Sequence, residues 1–478
     1  MSLKKKAIAG VGWTAVQQFS TQLINFGTSI VLARLLQVED FGLIGIILVF
    51  INLSKLFIES GLTQSLVRTS EISEADLKTV FTFTFLLSGL LYLILFLVAP
   101  FIARFYQKDI LVQMIRVYGL TFVIGSLGSV QNTIMSKKLQ FKKIMSISLP
   151  SLVLSSLVSI VLAYYDYGVW ALVYGALTQT IIGTIQVLIR REWNPSFGFS
   201  KVHFQKHFSF GFKLTISGFL DVIFNNLIAI IMGKFYSPYQ VGLFNRADSL
   251  KQFPVNVISN ILNKTTYPLF AKIKDDHDKL KMVYSLLIKL VTLIIAPILI
   301  LAIALSEPLF NVLFGVKWNN AVPYFQILCL NGILYPLHAY NLNVLKVKGR
   351  SDLFLKLEVY KKVIFLFIIV AGFFYGIFFL LWGTVLFSCI AFWINTYYTA
   401  KFIQYTALEQ IIDIAPYILI AMSTGGIVFF LKFYLPITGN NLTELLIGGV
   451  LGFILYSVGI LMTKKSELQN FYQLIFKK

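Results

Sequence analysis

Apolar runs of about twenty residues succeed one another down this chain, and the polar breaks between them alternate in charge. Lys137, Lys138, Lys142 and Lys143 crowd one break, whereas the next, Tyr164-Tyr165-Asp166-Tyr167-Gly168, holds no basic residue. A hydrophobic stretch of that length matches the hydrocarbon thickness of a bilayer. Loops that stay on the cytoplasmic side retain Lys and Arg, so basic and non-basic breaks alternate in a multi-span protein. The pattern predicts an all-α polytopic membrane protein. Fourteen runs fit it: 8–33, 41–63, 79–101, 111–134, 145–164, 168–189, 212–233, 241–262, 282–304, 322–345, 359–378, 380–400, 412–434 and 443–462.

Charge content excludes a soluble fold. Of 478 residues only 13% are charged and 57% are hydrophobic, against about 25% charged in ordinary soluble domains. The longest polar gap, about 190–211, is too short for a soluble domain. A net charge of +20 invites nucleic acid as a partner, but the charges fall where topology needs them. Lys4, Lys5, Lys6, then Arg190, Arg191, Lys201 and Lys206, then Lys272, Lys274, Lys279 and Lys281 occupy alternate breaks, as do Lys346, Lys348, Arg350, Lys356, Lys464 and Lys465. With both termini cytoplasmic, all face inward, toward anionic lipid heads. The first run is too long for a signal-peptide core and is expected to stay as span 1. Two cysteines, Cys329 and Cys389, and four scattered histidines form no metal motif.

A repeat lies beneath the spans. At an ungapped offset of 200, Phe19, Asn25, Ile30, Gly42 and Leu43 match Phe219, Asn225, Ile230, Gly242 and Leu243, and Pro100 and Pro308 both fall late in the third span of their halves. The expected organisation is a six-helix lobe over 1–200, a second over 201–405, and two additional helices with a cytoplasmic tail over 406–478. Parallel repeats place a substrate path between lobes, with sites near the midplane.

Charges at membrane depth cost about 2.5–3.5 kcal/mol on insertion scales, so each needs a partner, a cavity or a role. Lys55 and Glu59 in span 2 stand i,i+4 on one face, as a self-neutralising pair or as a cavity cation for an anionic substrate. Arg246, Asp248 and Lys251 open span 8; Arg246 suits phosphate by its fork or snorkels to the outer interface. Asp221 binds a coupling proton or sodium ion, or neutralises Arg246 or Lys251. Arg116 and Lys289 are cavity cations or snorkelling residues. Gln17, Gln18, Gln22 and Asn25, with Asn225 as the repeat partner of Asn25, make a polar stripe that lines a cavity with sugar-contacting groups or glues helices. No phosphate loop, nucleotide signature or nucleophile elbow occurs, so no catalytic residue is assigned and an enzyme is not expected.

Several segments resemble the polysaccharide-export flippases of the MOP exporter superfamily, in the Wzx/WzxC-like branch of lipopolysaccharide, O-antigen and exopolysaccharide translocases. They are Leu32-Ala33-Arg34-Leu35-Leu36 through Glu39-Asp40-Phe41-Gly42-Leu43, Glu59-Ser60-Gly61-Leu62, Lys137-Lys138-Leu139-Gln140-Phe141 and Tyr167-Gly168-Val169-Trp170-Ala171-Leu172-Val173. Gly242-Leu243-Phe244-Asn245-Arg246-Ala247 and Tyr267-Pro268-Leu269-Phe270, leading to Asp275-Asp276, complete the set. The resemblance implies transfer of undecaprenyl-diphosphate-linked oligosaccharide from the inner to the outer leaflet of a bacterial cytoplasmic membrane by alternating access, driven by a proton or sodium gradient and without a cofactor. It implies cavity-facing cations, for which Lys55 and Arg246 hold comparable positions; span 1 departs from it with glutamines where the family has arginines. It also implies membrane lipids, a polysaccharide polymerase and chain-length machinery as partners of a monomeric chain. The alternative is a drug or small-molecule antiporter of the same superfamily, which favours acidic cavity residues.

Overall fold

The computed structural model describes residues 3–59, 62–69, 71–434 and 440–476. Within helices it leaves out the side chains at 3–11, 59, 64, 209–214, 216–217, 220, 259–265, 267–268, 336, 339, 351, 433–434 and 464–476. Among the described residues all regular structure is helical. The elements are α1 Leu3–Leu35, α2 Val38–Glu59, α3 Leu62–Arg68, α4 Glu74–Tyr106, α5 Ile110–Lys137, α6 Phe141–Tyr164, α7 Trp170–Ile189 and α8 Lys201–Phe235. They continue with α9 Pro238–Lys272, α10 His277–Ala304, α11 Ser306–Leu313, a 3₁₀ turn Val316–Ala321, α12 Val322–Val347, α13 Ser351–Tyr375, α14 Ile377–Ile403, α15 Ala407–Tyr434 and α16 Asn441–Phe476.

The bilayer dictates this uniformity. Hydrocarbon offers no partner for a backbone N–H or C=O, so a spanning segment closes its hydrogen bonds internally, as a helix does. Among the described residues nine helices are long and apolar enough to cross a membrane: α2, α4, α5, α6, α7, α10, α14, α15 and α16. The chain is a multi-pass membrane protein. Polar residues stop the helices at their ends. Ser73 and Asp76 form a reciprocal capping box at the start of α4, and Asp276 caps α10 by accepting from the Lys279 N–H. The α6–α7 turn needs left-handed backbone at Asp166 (φ 61°) and Gly168 (φ 54°), positions that Asp and Gly tolerate best.

Packing divides the chain into two units, Met1–Gly242 and Leu243–Lys478. The first takes in α8 because α8 packs on α2, α3 and α4. Leu62, Leu66, Val80, Phe81, Val130 and Ile134 cluster there, with Phe204 and Phe208 of α8 closing over them. The repeat-based lobe boundary at 200–201 is a statement about sequence correspondence, which packing does not test. In the second unit α10 packs on α12 and α15, α14 on α12 and α13, and α15 on α16.

Two elements depart from the expectations. The segment after α2 folds into the short helix α3. The segment between the expected spans 282–304 and 322–345 folds into α11 and the 3₁₀ turn, and it carries Pro308, which therefore lies outside the third long helix of its half; the proline inside α10 is Pro297. The driving force is aromatic. Phe310, Phe314, Trp318 and Phe325 are all fully buried, with ring centroids 5.5 Å apart for Phe310–Phe314 and 5.3 Å for Phe310–Phe325. Edge-on pairs of this kind are worth about 0.5–1.5 kcal/mol beyond their burial.

Residues at the repeat offset of 200 also meet reciprocally within the first unit. A Cβ on Gly42 of α2 would overlap the Pro238 carbonyl at the start of α9, and a Cβ on Gly242 would overlap the Val38 carbonyl. Gly27 on α1 has open space in the same position. Gly42→Val should therefore lower the thermal midpoint of the purified protein, with overpacking costing at least about 1–3 kcal/mol. Gly27→Ala should leave it unchanged or raise it, since Ala favours a helix by up to about 1 kcal/mol. Differential scanning fluorimetry in detergent separates them; equal behaviour would disprove the close backbone approach.

Candidate functional site

The first unit holds a cavity of about 680 Å³ between α2, α3, α5, α6 and α7. Its wall follows from helical spacing. Thr121, Ser126, Ser129, Thr133 and Ser136 recur at three- to five-residue steps on α5 and so share one face, and Ser148 and Ser151 of α6 and Gln179, Thr180 and Thr184 of α7 meet them. Small hydroxyls let helices approach closely and bond within the bundle. Thr121 donates to the Tyr118 carbonyl (2.7 Å), Ser126 to Val123 (2.7 Å), Ser129 to Ser126 (2.8 Å) and Thr133 to Ser129 (2.9 Å). Each of these four hydroxyls spends its proton on its own helix and keeps its remaining lone pairs for whatever fills the cavity. Asn132 and Gln179 are exposed to the space and make no hydrogen bond to another described residue, so their amides can both donate and accept.

Lys55 of α2 is the one charged residue among the described groups lining this cavity. The other lysines drawn into the bundle are matched. Lys251 pairs with Asp248 (2.6 Å), Lys289 with Asp413 (3.0 Å) and Lys361 with Glu358 (2.5 Å). Arg116 lies 4.0 Å over the Phe96 ring and donates to the Phe96 carbonyl (3.4 Å). Arg246 is buried, its guanidinium 4.9 Å from the Phe314 ring and 5.1 Å from Trp318, an arrangement that stabilises a desolvated cation electrostatically. No described carboxylate pairs with Lys55. The side chain of Glu59, its expected i,i+4 partner, lies outside the described residues.

Within each unit the expected site residues have different surroundings. Lys55 lines the cavity. Arg246, Lys251 and Asp248 are together at the start of α9, with the charges of the last two spent on each other, and Arg116 is committed to Phe96. Gln18 and Asn25 are exposed on α1 and Gln22 is half-buried; Asp221 and Asn225 are exposed on α8. None of these five lines the cavity, although neighbouring Gln17 donates to Ser148 of its wall (2.9 Å). Sequence reading missed the α5 hydroxyl face, Asn132 and Gln179, for which the spacing on α5 was the available signal. It also missed Asp413, which accepts from Ser285 (2.6 Å) and Tyr405 in a second-unit cleft of about 380 Å³ shared with Lys281 and Glu409. Among the described residues no group of three His, Cys, Asp or Glu side chains could hold a metal ion.

Over residues 31–323 the chain matches the family described as Polysaccharide biosynthesis protein. The chain belongs to this family. It is 27% identical over 378 residues to the lipopolysaccharide biosynthesis protein WzxC of Escherichia coli (strain K12), spanning 78% of this chain and 76% of that one. To the teichuronic acid biosynthesis protein TuaB of Bacillus subtilis (strain 168) it is 26% identical over 354 residues, 74% and 73% of the two chains. In fold it is similar to the lipid II flippase MurJ in an inward closed conformation, with a TM-score of 0.77 at 14% identity over 95% of this chain and 99% of that one.

In this member of the polysaccharide biosynthesis family, hydrogen bonds join the end of α5, the start of α6 and the segment after α7. Glu192, just past α7, accepts from Lys138 (2.6 Å) and Lys143 (3.2 Å). Its own backbone N–H donates to the buried Gln131 of α5 (3.1 Å), whose amide in turn donates to the Trp193 carbonyl. The hydrogen bond from Lys138, reinforced by Gln140 and Lys143, holds Glu192 down to about 2 against the opposing effect of burial. A carboxylate depressed in the folded state stabilises above its unfolded value, 4.5 here, and that contribution is lost as pH falls toward 2. The thermal midpoint should therefore fall more steeply between pH 4.5 and 2 in the parent protein than in Glu192→Gln. Parallel melting curves across that range would show the clasp contributes nothing.

Proposed function

We propose that this chain is a flippase that moves an undecaprenyl-diphosphate-linked oligosaccharide from the cytoplasmic to the outer leaflet of a bacterial cytoplasmic membrane. The observation that carries the reading is the cavity itself, rich in hydroxyls and amides, with Lys55 and no carboxylate among its described lining residues. The proposed topology has fourteen spans, two six-helix lobes plus two helices, with both termini cytoplasmic.

The chemistry of such a substrate fits the wall. Moving sugar hydroxyls into hydrocarbon costs several kcal/mol for each unmet hydrogen bond, and a ring of Ser, Thr, Asn and Gln side chains replaces water's bonds along the path. Hydroxyl oxygens whose protons are committed accept from sugar O–H groups, while Asn132 and Gln179 supply donors. A volume near 680 Å³ lies inside the range of about 300–1,000 Å³ for pockets that enclose a small-molecule ligand, enough for a short saccharide. Phosphate needs a fixed cation, which Lys55 provides, and the isoprenoid tail needs no protein at all, because bilayer solvates it. Arg246, Lys251 and Arg116 reach substrate in this reading only by giving up Phe314 and Trp318, Asp248 and Phe96 respectively. Asp221 and Asp248 are the carboxylates proposed to sense the driving proton or sodium gradient. A drug antiporter of the same superfamily is less well supported, since a cationic drug would meet Lys55 and no described acid.

The direct test is the leaflet location of lipid-linked oligosaccharide in a strain lacking this chain and any redundant flippase. Substrate should accumulate on the cytoplasmic face and move outward when the chain is restored; an unchanged distribution refutes the reading. In the restored strain Lys55→Ala should cut surface polysaccharide at least about tenfold, the scale of one lost charge-assisted hydrogen bond, while Lys55→Arg retains most of it at equal protein abundance.

A further inference from the structure

The four lysines of the α5–α6 break are not an undifferentiated charge. Lys137 donates to the Thr69 carbonyl just past α3, and Lys142 stands 5.3 Å from the Trp13 ring of α1. Each of these two ties a different helix to the break. Lys138 and Lys143 alone converge on one anion, the Glu192 carboxylate. They arrive from different elements, the last turn of α5 and the first of α6, and Glu192 is held beneath them by the Gln131 bonds to its backbone and to Trp193. Its side chain is only 20% exposed although it sits in a loop. Two ammonium groups around a pair of carboxylate oxygens are what a phosphate would also require.

Position adds the second argument. Ser136, Ile144, Ile147 and Val187, which line the cavity, stand within a few residues of Lys138, Lys143 and Glu192 at the adjoining ends of α5, α6 and α7. An anion held by the two lysines therefore sits at the lysine-rich mouth of the cavity whose interior offers Lys55. We propose that Lys138 and Lys143 form a docking site for the diphosphate of a lipid-linked substrate, and that Glu192 occupies this site until the substrate displaces it. The proposal rests on the flippase reading for its substrate and on the clasp geometry for its place. Displacing the Glu192 side chain frees both lysines while the Gln131 bonds to the Glu192 N–H and the Trp193 carbonyl, and the Arg190 bonds to Ser146, still hold the end of α7 to α5 and α6.

Titration of the full-length chain in detergent with inorganic pyrophosphate, and separately with farnesyl diphosphate, tests it. Lys138→Ala and Lys143→Ala should each weaken both ligands by about tenfold, Lys138→Arg by no more than a few-fold, and Lys201→Ala, one charge removed at the start of α8, by less than twofold. Glu192→Gln should strengthen both several-fold, because the resident competitor is gone. Unchanged or weaker binding by Glu192→Gln, or a Lys138→Ala loss no larger than that of Lys201→Ala, overturns the proposal. So does a lack of farnesyl diphosphate binding. If phosphatidylglycerol in nanodiscs displaces pyrophosphate and phosphatidylcholine does not, the lysines serve bulk anionic lipid and the proposal also falls. The titration is independent of transport. Normal titration with failed flipping removes the flippase reading alone, and normal flipping with lysine-independent binding removes the docking site alone.

Discussion

Hydrocarbon gives a polar group no partner, and that single constraint shapes every level of this protein. At the backbone it makes the described regular structure entirely helical, because a helix closes its own N–H and C=O groups. At the side chains it demands that each charge carried into the bundle be matched. Lys251, Lys289 and Lys361 meet carboxylates, and Arg246 and Arg116 meet aromatic rings. Where matching is left undone in the described structure, as at Lys55, Asn132 and Gln179, the groups face open space, and open space between helices is where a polar substrate can be.

The second unit handles its polar burden differently from the first. Its interior buries Asn341, Asn395, Thr396, Thr399 and Gln410 completely. Asn341 and Gln410 bond to each other there, and Tyr284 donates to Gln410 at the long distance of 3.5 Å. Near the end of the same seam, Lys281, Ser285 and Lys289 recur every four residues along α10 opposite Glu409 and Asp413 of α15. This ladder fastens α15 to the unit by hydrogen bonds and charge, which lipid tails cannot replace. The first unit, by contrast, leaves its polar face on α5 as the wall of a cavity.

The chain belongs to the polysaccharide biosynthesis family, and its fold is similar to that of a lipid II flippase. A cavity lined by many weak, neutral donors and acceptors holds a polar occupant loosely, because hydroxyl and amide contacts are individually worth only about 0.5–1.5 kcal/mol net. The aromatic box of Phe310, Phe314, Trp318 and Phe325 under Arg246 plays the opposite part, fixing one connection firmly.

The all-helical, multi-span class and the family were legible in the sequence, because each depends on composition over twenty residues or on short local motifs. What the sequence could not disclose was partnership. That Lys55 lines a cavity with α5, α6 and α7, that Arg246 lies on Phe314 and Trp318, that Asp413 neutralises Lys289, and that Glu192 joins Lys138 to Lys143 all depend on residues 49 or more positions apart meeting in space. Side-chain chemistry declares what a residue can pair with, but the crossing of helices decides what it does pair with. For that reason the class of this protein was written in its hydropathy, and its cavity and clasp only in its packing.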